Sequence, residues 1–309
     1  YYGASFNYKN ATGIDLKSER EEYGGRFVIE QRVIDNRLQL NGSLNARRVN
    51  ETWGNDGMFD TALSMNPTMP LYDDKGNYYQ PSSPTGARNP VAELKDIDNN
   101  GQRLYVLGTA EAKLNILRSE KQTLNTSLSY SLHYNDLKQQ YFTPSTSGES
   151  YWNGYKGRAE VTYQKWYTQR LEWLVNYALD VQNHSIKAVA GYTYENAHWE
   201  RLQASNNDFA YDNIQWHDLG YLTDGKAQMA TGQSASKLIG TFGRINYNWK
   251  KLLMASASIR YEGSTKFGKN HKWGAFPSAS IAWEIANMDF IKNASKVVKS
   301  LKPRISYGV

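Results

Sequence analysis

The stretch Gln122-Thr123-Leu124-Asn125-Thr126-Ser127-Leu128-Ser129-Tyr130-Ser131-Leu132-His133-Tyr134 decides how the rest of the chain is read. Leu124, Thr126, Leu128, Tyr130, Leu132 and Tyr134 occupy every second position, and Thr123, Asn125, Ser127, Ser129, Ser131 and His133 fill the gaps. Successive side chains of a β-strand point to opposite faces, so this segment has one apolar, aromatic face and one wholly polar face. The same period returns in Arg170–Val181, Lys237–Trp249 and Leu252–Tyr261. Weaker copies lie at Tyr1–Lys9, Tyr23–Val33, Arg37–Arg48, Arg103–Leu117, Ser185–Asn196, Gly274–Ile285 and from Leu301 onward.

These runs are long. Strands of soluble domains usually have ~5–6 residues, whereas a tilted strand crossing a bilayer needs ~9–11. A soluble sandwich also alternates, so length and aromatic-rich apolar faces carry the distinction. Composition agrees: hydrophobic residues make up 40% and mean hydropathy is −0.70, and no stretch approaches the ~18 apolar residues of a membrane helix. A barrel strand shows only alternate residues to lipid, so low hydropathy does not count against a barrel. With 23 Tyr and 9 Trp the chain is too aromatic for wholesale disorder. With no Cys it has no disulfide framework, thiolate metal site or Cys nucleophile.

Connections between the runs alternate in length. Short turns fall near Ile34-Asp35-Asn36, Arg118–Lys121, Gln182-Asn183-His184 and Lys250-Lys251, and long segments cover 10–22, 49–102, 135–169, 198–236 and 263–273. Short periplasmic turns and long extracellular loops are the habit of outer-membrane barrels. The alternation requires Ala159–Trp166 to be loop or a strand extension above the membrane. On this topology Trp249, Trp283 and Ile285 are expected near the periplasmic interface. Trp173, Tyr130, Tyr134, Tyr194 and Tyr261 are expected near the outer one. The first residues show no signal-peptide pattern and the last lie within a strand, so the chain is expected to be a partial barrel domain spanning 1–309.

Catalysis finds no support. Asp96-Ile97-Asp98-Asn99-Asn100-Gly101 resembles the start of a calcium loop, but Leu107 stands where the bidentate Glu is needed, and a polar turn is expected. The five His lie on separate segments without metal-ligand spacing, and no triad or carboxylate pair emerges. No enzyme activity, metal or cofactor is expected. The net charge of +6 is spread along the chain without a basic block, so no nucleic-acid partner is expected either. Trp53, Tyr78, Tyr151, Trp152, Tyr155, Trp199 and Trp216 stand in the long loops among Asn, Asp and Gln. Flat apolar rings beside amide and carboxylate groups suit a sugar or peptide, and these seven are candidate substrate contacts. Any one of them could instead pack loop against loop.

Phe242-Gly243-Arg244-Ile245-Asn246-Tyr247, the run Ala257–Asn270 and the run Lys272–Trp283 resemble the SusC/RagA family of TonB-dependent outer-membrane transporters of Bacteroidetes. Glu262 stands where the family usually has Asp, and Thr265 where Ser is common. Asn66-Pro67-Thr68 to Asp73, with Asn89-Pro90-Val91-Ala92, resembles a family loop, and Leu301–Gly308 resembles the strand that follows. The resemblance implies an all-β, transmembrane antiparallel barrel of 22 strands, of which this chain holds about half. It also implies a plug domain and TonB box outside this chain, a SusD-like surface lipoprotein as partner, and import of glycans or oligopeptides across the outer membrane. Arg244, Asn246, Ser256, Ser258 and Arg260 are expected to face the lumen, with the apolar face against outer-membrane lipid. The rivals are a passive porin and a soluble, secreted β-sheet protein that binds carbohydrate.

Overall fold

A computed structural model describes the chain except for residues 56, 82–87, 289, 292–296 and 298. Eleven strands form one sheet: β1 (Tyr2–Thr12), β2 (Glu19–Val33), β3 (Leu38–Thr52), β4 (Asp98–Arg118), β5 (Gln122–Thr143), β6 (Arg158–Val181), β7 (His184–Asn207), β8 (Gln228–Trp249), β9 (Leu253–Ser264), β10 (Trp273–Trp283) and β11 (Arg304–Gly308). Strand order follows chain order and the paired neighbours are antiparallel, leaving β1 and β11 at the edges. No helix among the described residues is long and apolar enough to cross a membrane.

Register carries the two faces across the sheet, because directly opposed residues share a side. Leu128 of β5 faces Ala112 of β4 and Trp173 of β6, and Trp173 faces Tyr192 of β7. Ile245 of β8 lies between Ala188 and Ala257, and Ala257 lies opposite Ala279. No described residue covers this apolar face: Phe6, Phe27, Leu44, Leu128, Trp173, Ile245, Ile259 and Ile281 are all exposed. A sandwich buries such a face under a second sheet; a bilayer buries it in hydrocarbon. On the opposite face Ser43 meets Thr109 and Asn176 donates to Asn125 across strands. That side carries mainly polar residues, with Leu107, Leu174, Phe242 and Phe276 among them.

Left-handed backbone shapes the turns after β2, β6 and β8. Ile34, Asp35 and Asn36 all have positive φ, as do Lys250 and Lys251. Two consecutive positive-φ residues are what a two-residue hairpin needs to match strand twist. Residues 284–303 depart from the expected rule, since this connection on the tight-turn side is long. Its described part is anchored by the Glu284 carboxylate, which accepts from the Leu301 N–H at 2.7 Å and from the Ser300 hydroxyl.

Several strand ends lie further out than the alternation suggests. β5 runs to Thr143, β6 begins at Arg158, β7 ends at Asn207 and β8 begins at Gln228. Ala159–Trp166 is therefore strand, paired on both sides, and forms the extension beyond the apolar band. Asp96–Gly101 is not a polar turn: of the short helices α1 (Met58–Ser64) and α2 (Pro90–Asp96), the second ends where β4 begins. Asn89 caps the N-terminus of α2 by accepting from the Val91 and Ala92 N–H groups, and at the other end Ile97 is already extended (φ −81°, ψ 129°), so the helix passes directly into strand.

Trp173 is also displaced from its expected level. It sits in the middle of the band, opposite Leu128 and Tyr192, and not at the outer interface. The outer aromatic row contains Tyr134 and Tyr261, the latter stacked on Trp273 (ring centroids 5.1 Å apart), together with Tyr8 against Tyr23 (5.2 Å) and Tyr167 stacked on His198 (5.0 Å). At the other end Trp249, Leu253 and Trp283 share one row beside the tight turns.

Candidate functional site

The polar face is continuous, and register places Arg244, Asn246, Ser256, Ser258 and Arg260 on it together. Arg244 lies opposite Ser258, Asn246 opposite Ser256, and Arg260 opposite Phe242. Serines continue the pattern, with Ser256 hydroxyl 2.7 Å from Ser280 and Ser258 2.7 Å from Ser278. Arg260 pairs with Glu262, reaches Thr193 and lies 5.8 Å from the centre of the Phe242 ring. A second polar cluster escaped sequence reasoning. Glu22 and Glu51, both buried, gather Arg20, Arg47 and Arg103 from three neighbouring strands. Charges two residues apart along β2 were the available signal.

The seven candidate aromatics do not converge on one pocket. Trp53, just beyond β3, covers Gly101 and lies 5.6 Å from the Arg103 guanidinium; a Cβ at Gly101 would fall 2.1 Å from its ring. Tyr78 stacks on Tyr72 with centroids 5.1 Å apart. Trp216 packs edge-on against Phe142, beside buried Ala159 and Phe209, and closes the loop between β7 and β8 over the strand ends. Tyr151 is exposed on α3 (Gly148–Asn153). Trp199 is a correction of place: it belongs to β7, not to a loop.

Trp199 lies directly opposite Trp166 on the polar face, above the membrane band. Its indole extends over Gly232 of β8, where any Cβ would stand 2.9 Å from the ring. Arg201 and Gln164 form the next opposed pair along the same face. The result is two tryptophans opposed on neighbouring strands of the polar face, with Arg201 and Gln164 as the next pair along it. Trp166 was missed because its strand was read as ending lower; extending the parity of β6 upward finds it.

Trp152 and Tyr155 sit where two loops meet. Arg88 lies 6.0 Å from the Trp152 ring and 3.3 Å from Glu93, which is completely buried. Glu149 accepts from the Tyr141 and Tyr155 hydroxyls, each at 2.7 Å, and faces Arg158 at 3.5 Å. Burial pushes the Glu93 carboxyl up, against the pull of Arg88. Burial acts the same way on Glu149, but hydrogen bonds from Tyr155 and Tyr141 and nearby Arg158 outweigh it and hold this carboxyl low. The Tyr155 hydroxyl is pushed up by burial and by Glu149. This cluster joins the loop between β3 and β4 to the loop between β5 and β6. Among the described residues no group of His, Cys, Asp or Glu is arranged to hold a metal.

No protein-family profile matches the chain. It is 26% identical over 310 residues to TonB-dependent receptor P26 of Formosa agariphila, covering 99% of this chain and 31% of that protein. It is 24% identical to TonB-dependent receptor SusC of Bacteroides thetaiotaomicron, over 100% of this chain and 32% of the relative. Its relatives are TonB-dependent receptors. The chain spans about a third of their length. A solved structure of the RagAB peptide transporter aligns with TM-score 0.74 and 19% identity, over 99% of this chain and 35% of that one, which shows a shared fold. The sheet, with its exposed apolar face, is thus similar in sequence to TonB-dependent receptors over nearly its whole length and shares the fold of the matching part of that transporter. These relatives are named as receptors and not as enzymes.

Proposed function

We propose that the chain is about half of the barrel domain of a SusC-like importer that brings glycans or oligopeptides across the outer membrane. The observation that carries this reading is an eleven-stranded wall with one lipid-type face and one polar face, similar to TonB-dependent receptors from end to end. Unpaired edges at β1 and β11 are unfavourable in hydrocarbon, so further strands complete the barrel in the whole protein. A plug domain fills the lumen and transmits energy from TonB, and Arg244, Asn246, Ser256, Ser258 and Arg260 line the space around it. A SusD-like lipoprotein covers the mouth.

Within that scheme the inward pair Trp166–Trp199, with Arg201 and Gln164, is the best-formed substrate contact on the wall. Exposed Tyr151 is free to meet substrate or lid. Trp53, Tyr78, Trp152, Tyr155 and Trp216 serve the site by fixing the loops around it.

The test compares uptake of labelled oligosaccharides and oligopeptides by cells with and without the intact gene, in the presence and absence of TonB. Import that requires both the gene and TonB supports the reading and identifies the substrate class. Uptake that persists without TonB makes the protein a passive porin. Recovery of the full-length protein in the soluble fraction without detergent removes the barrel altogether.

A further inference from the structure

The lipid-side face does not end at the aromatic row. β5 to β8 continue beyond it, and there the same face becomes polar and charged. Tyr134 is followed on its face by Asp136 and Lys138, and register sets Lys165 and Glu200 beside Asp136, with Tyr163 and Leu202 beside Lys138. A concavity of about 850 Å³ opens on this face, directly above Tyr134, and reaches across to Arg48 of β3.

Charge in this hollow is unevenly spent. Asp136 is occupied, accepting from the Leu104 N–H and the Tyr134 hydroxyl, each at 3.1 Å. Glu200 is shared between Lys165 at 3.3 Å and His198 at 3.2 Å. Arg48 and Lys138 have no ion pair among the described residues; Arg48 donates to Gln102, and Lys138 lies 5.9 Å from the Tyr163 ring. The exposed faces of Tyr163 and Leu202 stand next to them.

Height selects the occupant. At ~3.3 Å per residue and a tilt of about 40°, Lys165 lies roughly 5 Å above Tyr134 and Lys138 roughly 10 Å above it. Polar headgroups occupy about 5–8 Å on each side of the hydrocarbon. Cations at that depth on a lipid-facing surface meet anionic headgroups, and rings beside them suit a sugar face.

We propose that this hollow binds the phosphorylated sugar headgroup of an outer-leaflet glycolipid, with Arg48, Lys138 and Lys165 on phosphate and Tyr163 and Leu202 against the sugar. The proposal rests on the outer-membrane reading of the wall. The experiment uses full-length protein in detergent, titrated with phosphorylated lipid A and followed by native mass spectrometry, with dephosphorylated lipid A and inorganic phosphate as separate arms. The triple variant R48Q/K138Q/K165Q is expected to bind phosphorylated lipid A at least about tenfold more weakly while retaining the heat-dependent gel shift of a folded barrel. Dephosphorylated lipid A is expected to bind wild type no better than phosphorylated lipid A binds the variant.

Equal binding by wild type and variant overturns the proposal, as does equal binding of the two lipids. Millimolar inorganic phosphate displacing the lipid would mark a free-anion site and overturn it too. A wild-type dimer that dissociates in the variant while lipid binding persists would assign the hollow to a second copy of the chain. Should the triple variant fail to fold, K138Q alone carries the same comparison, because Lys138 has no carboxylate partner to lose. A failed membrane reading shows up separately, as wild-type protein that needs no detergent.

Discussion

Thr126 and Trp173 show how a polar atom survives on a lipid face. The Trp173 indole N–H donates to the Thr126 hydroxyl at 2.8 Å, and that hydroxyl donates onward to the Leu174 carbonyl at 2.9 Å. Water cannot reach mid-band, so loss of the hydroxyl leaves the N–H unpaired. Thr126→Val is expected to destabilise the full-length barrel in lipid vesicles by about 1–3 kcal/mol, read as a lower urea midpoint. Adding Trp173→Phe removes the orphaned donor and should recover most of the loss; no recovery would refute the relay. Glu93 and Glu149 make a second case, with opposite signs. Because burial raises the Glu93 carboxyl, its contribution to the loop contact is full below the ordinary carboxylate range and is lost as pH rises through the raised folded value. The lowered Glu149 contributes above the ordinary range and loses that contribution as pH falls through its folded value. Glu93→Gln is therefore expected to slow tryptic cleavage after Arg88 several-fold at neutral pH, with the difference vanishing on acidification. A difference independent of pH would mean Glu93 is not the titrating group.

At the scale of elements, the turn at Lys250-Lys251 spends two non-glycine residues on left-handed backbone. Lys250→Asn with Lys251→Gly supplies residues that adopt this conformation readily, and about 1–2 kcal/mol of stability should follow, measured by urea unfolding in vesicles. An unchanged or lower midpoint would show that the lysines hold the turn by another contact, such as Lys250 lying 5.4 Å from the Trp249 ring. Turns and strands differ in how far they could be read from sequence. Wherever lipid covers one face, alternation was plain: Leu124–Tyr134, Leu171–Val181 and Ile239–Trp249 are legible residue by residue. Above the membrane both faces are wet, so Asp136–Gln140 and the opposed Val161–Lys165 lose the contrast and read as loop although the ladder continues. That loss moved Trp199 into a loop, hid Trp166, and concealed the charged hollow on the outer face. Glu93 and Glu149 were invisible for another reason: they come together through loop packing, which has no period. The level of Trp173 was misjudged because an interface ring and a hydrogen-bonded mid-band ring share one sequence pattern.

At the scale of the whole molecule, everything depends on which medium lies against each face, and two adjacent residues test that directly. Leu128 is exposed at mid-band on the apolar face, with Trp173 and Ala112 opposite it. Ser129, the next residue, points to the polar face with Glu111 and Glu172 opposite. An arginine at Leu128 has only hydrocarbon around it, and Leu128→Arg should cost about 2–4 kcal/mol near the bilayer midplane. An arginine at Ser129 enters a hydrated surface between two carboxylates, so Ser129→Arg should be close to neutral. Both variants of the full-length protein are refolded into vesicles and compared by urea midpoint and by the fraction of heat-shifted folded barrel. A large loss for Leu128→Arg beside little change for Ser129→Arg fits a wall with lipid outside and water inside. In a water-soluble sheet open on both sides, neither arginine would lack solvation and the pair would behave alike. That result would remove the membrane from the account, and with it the headgroup site and the importer.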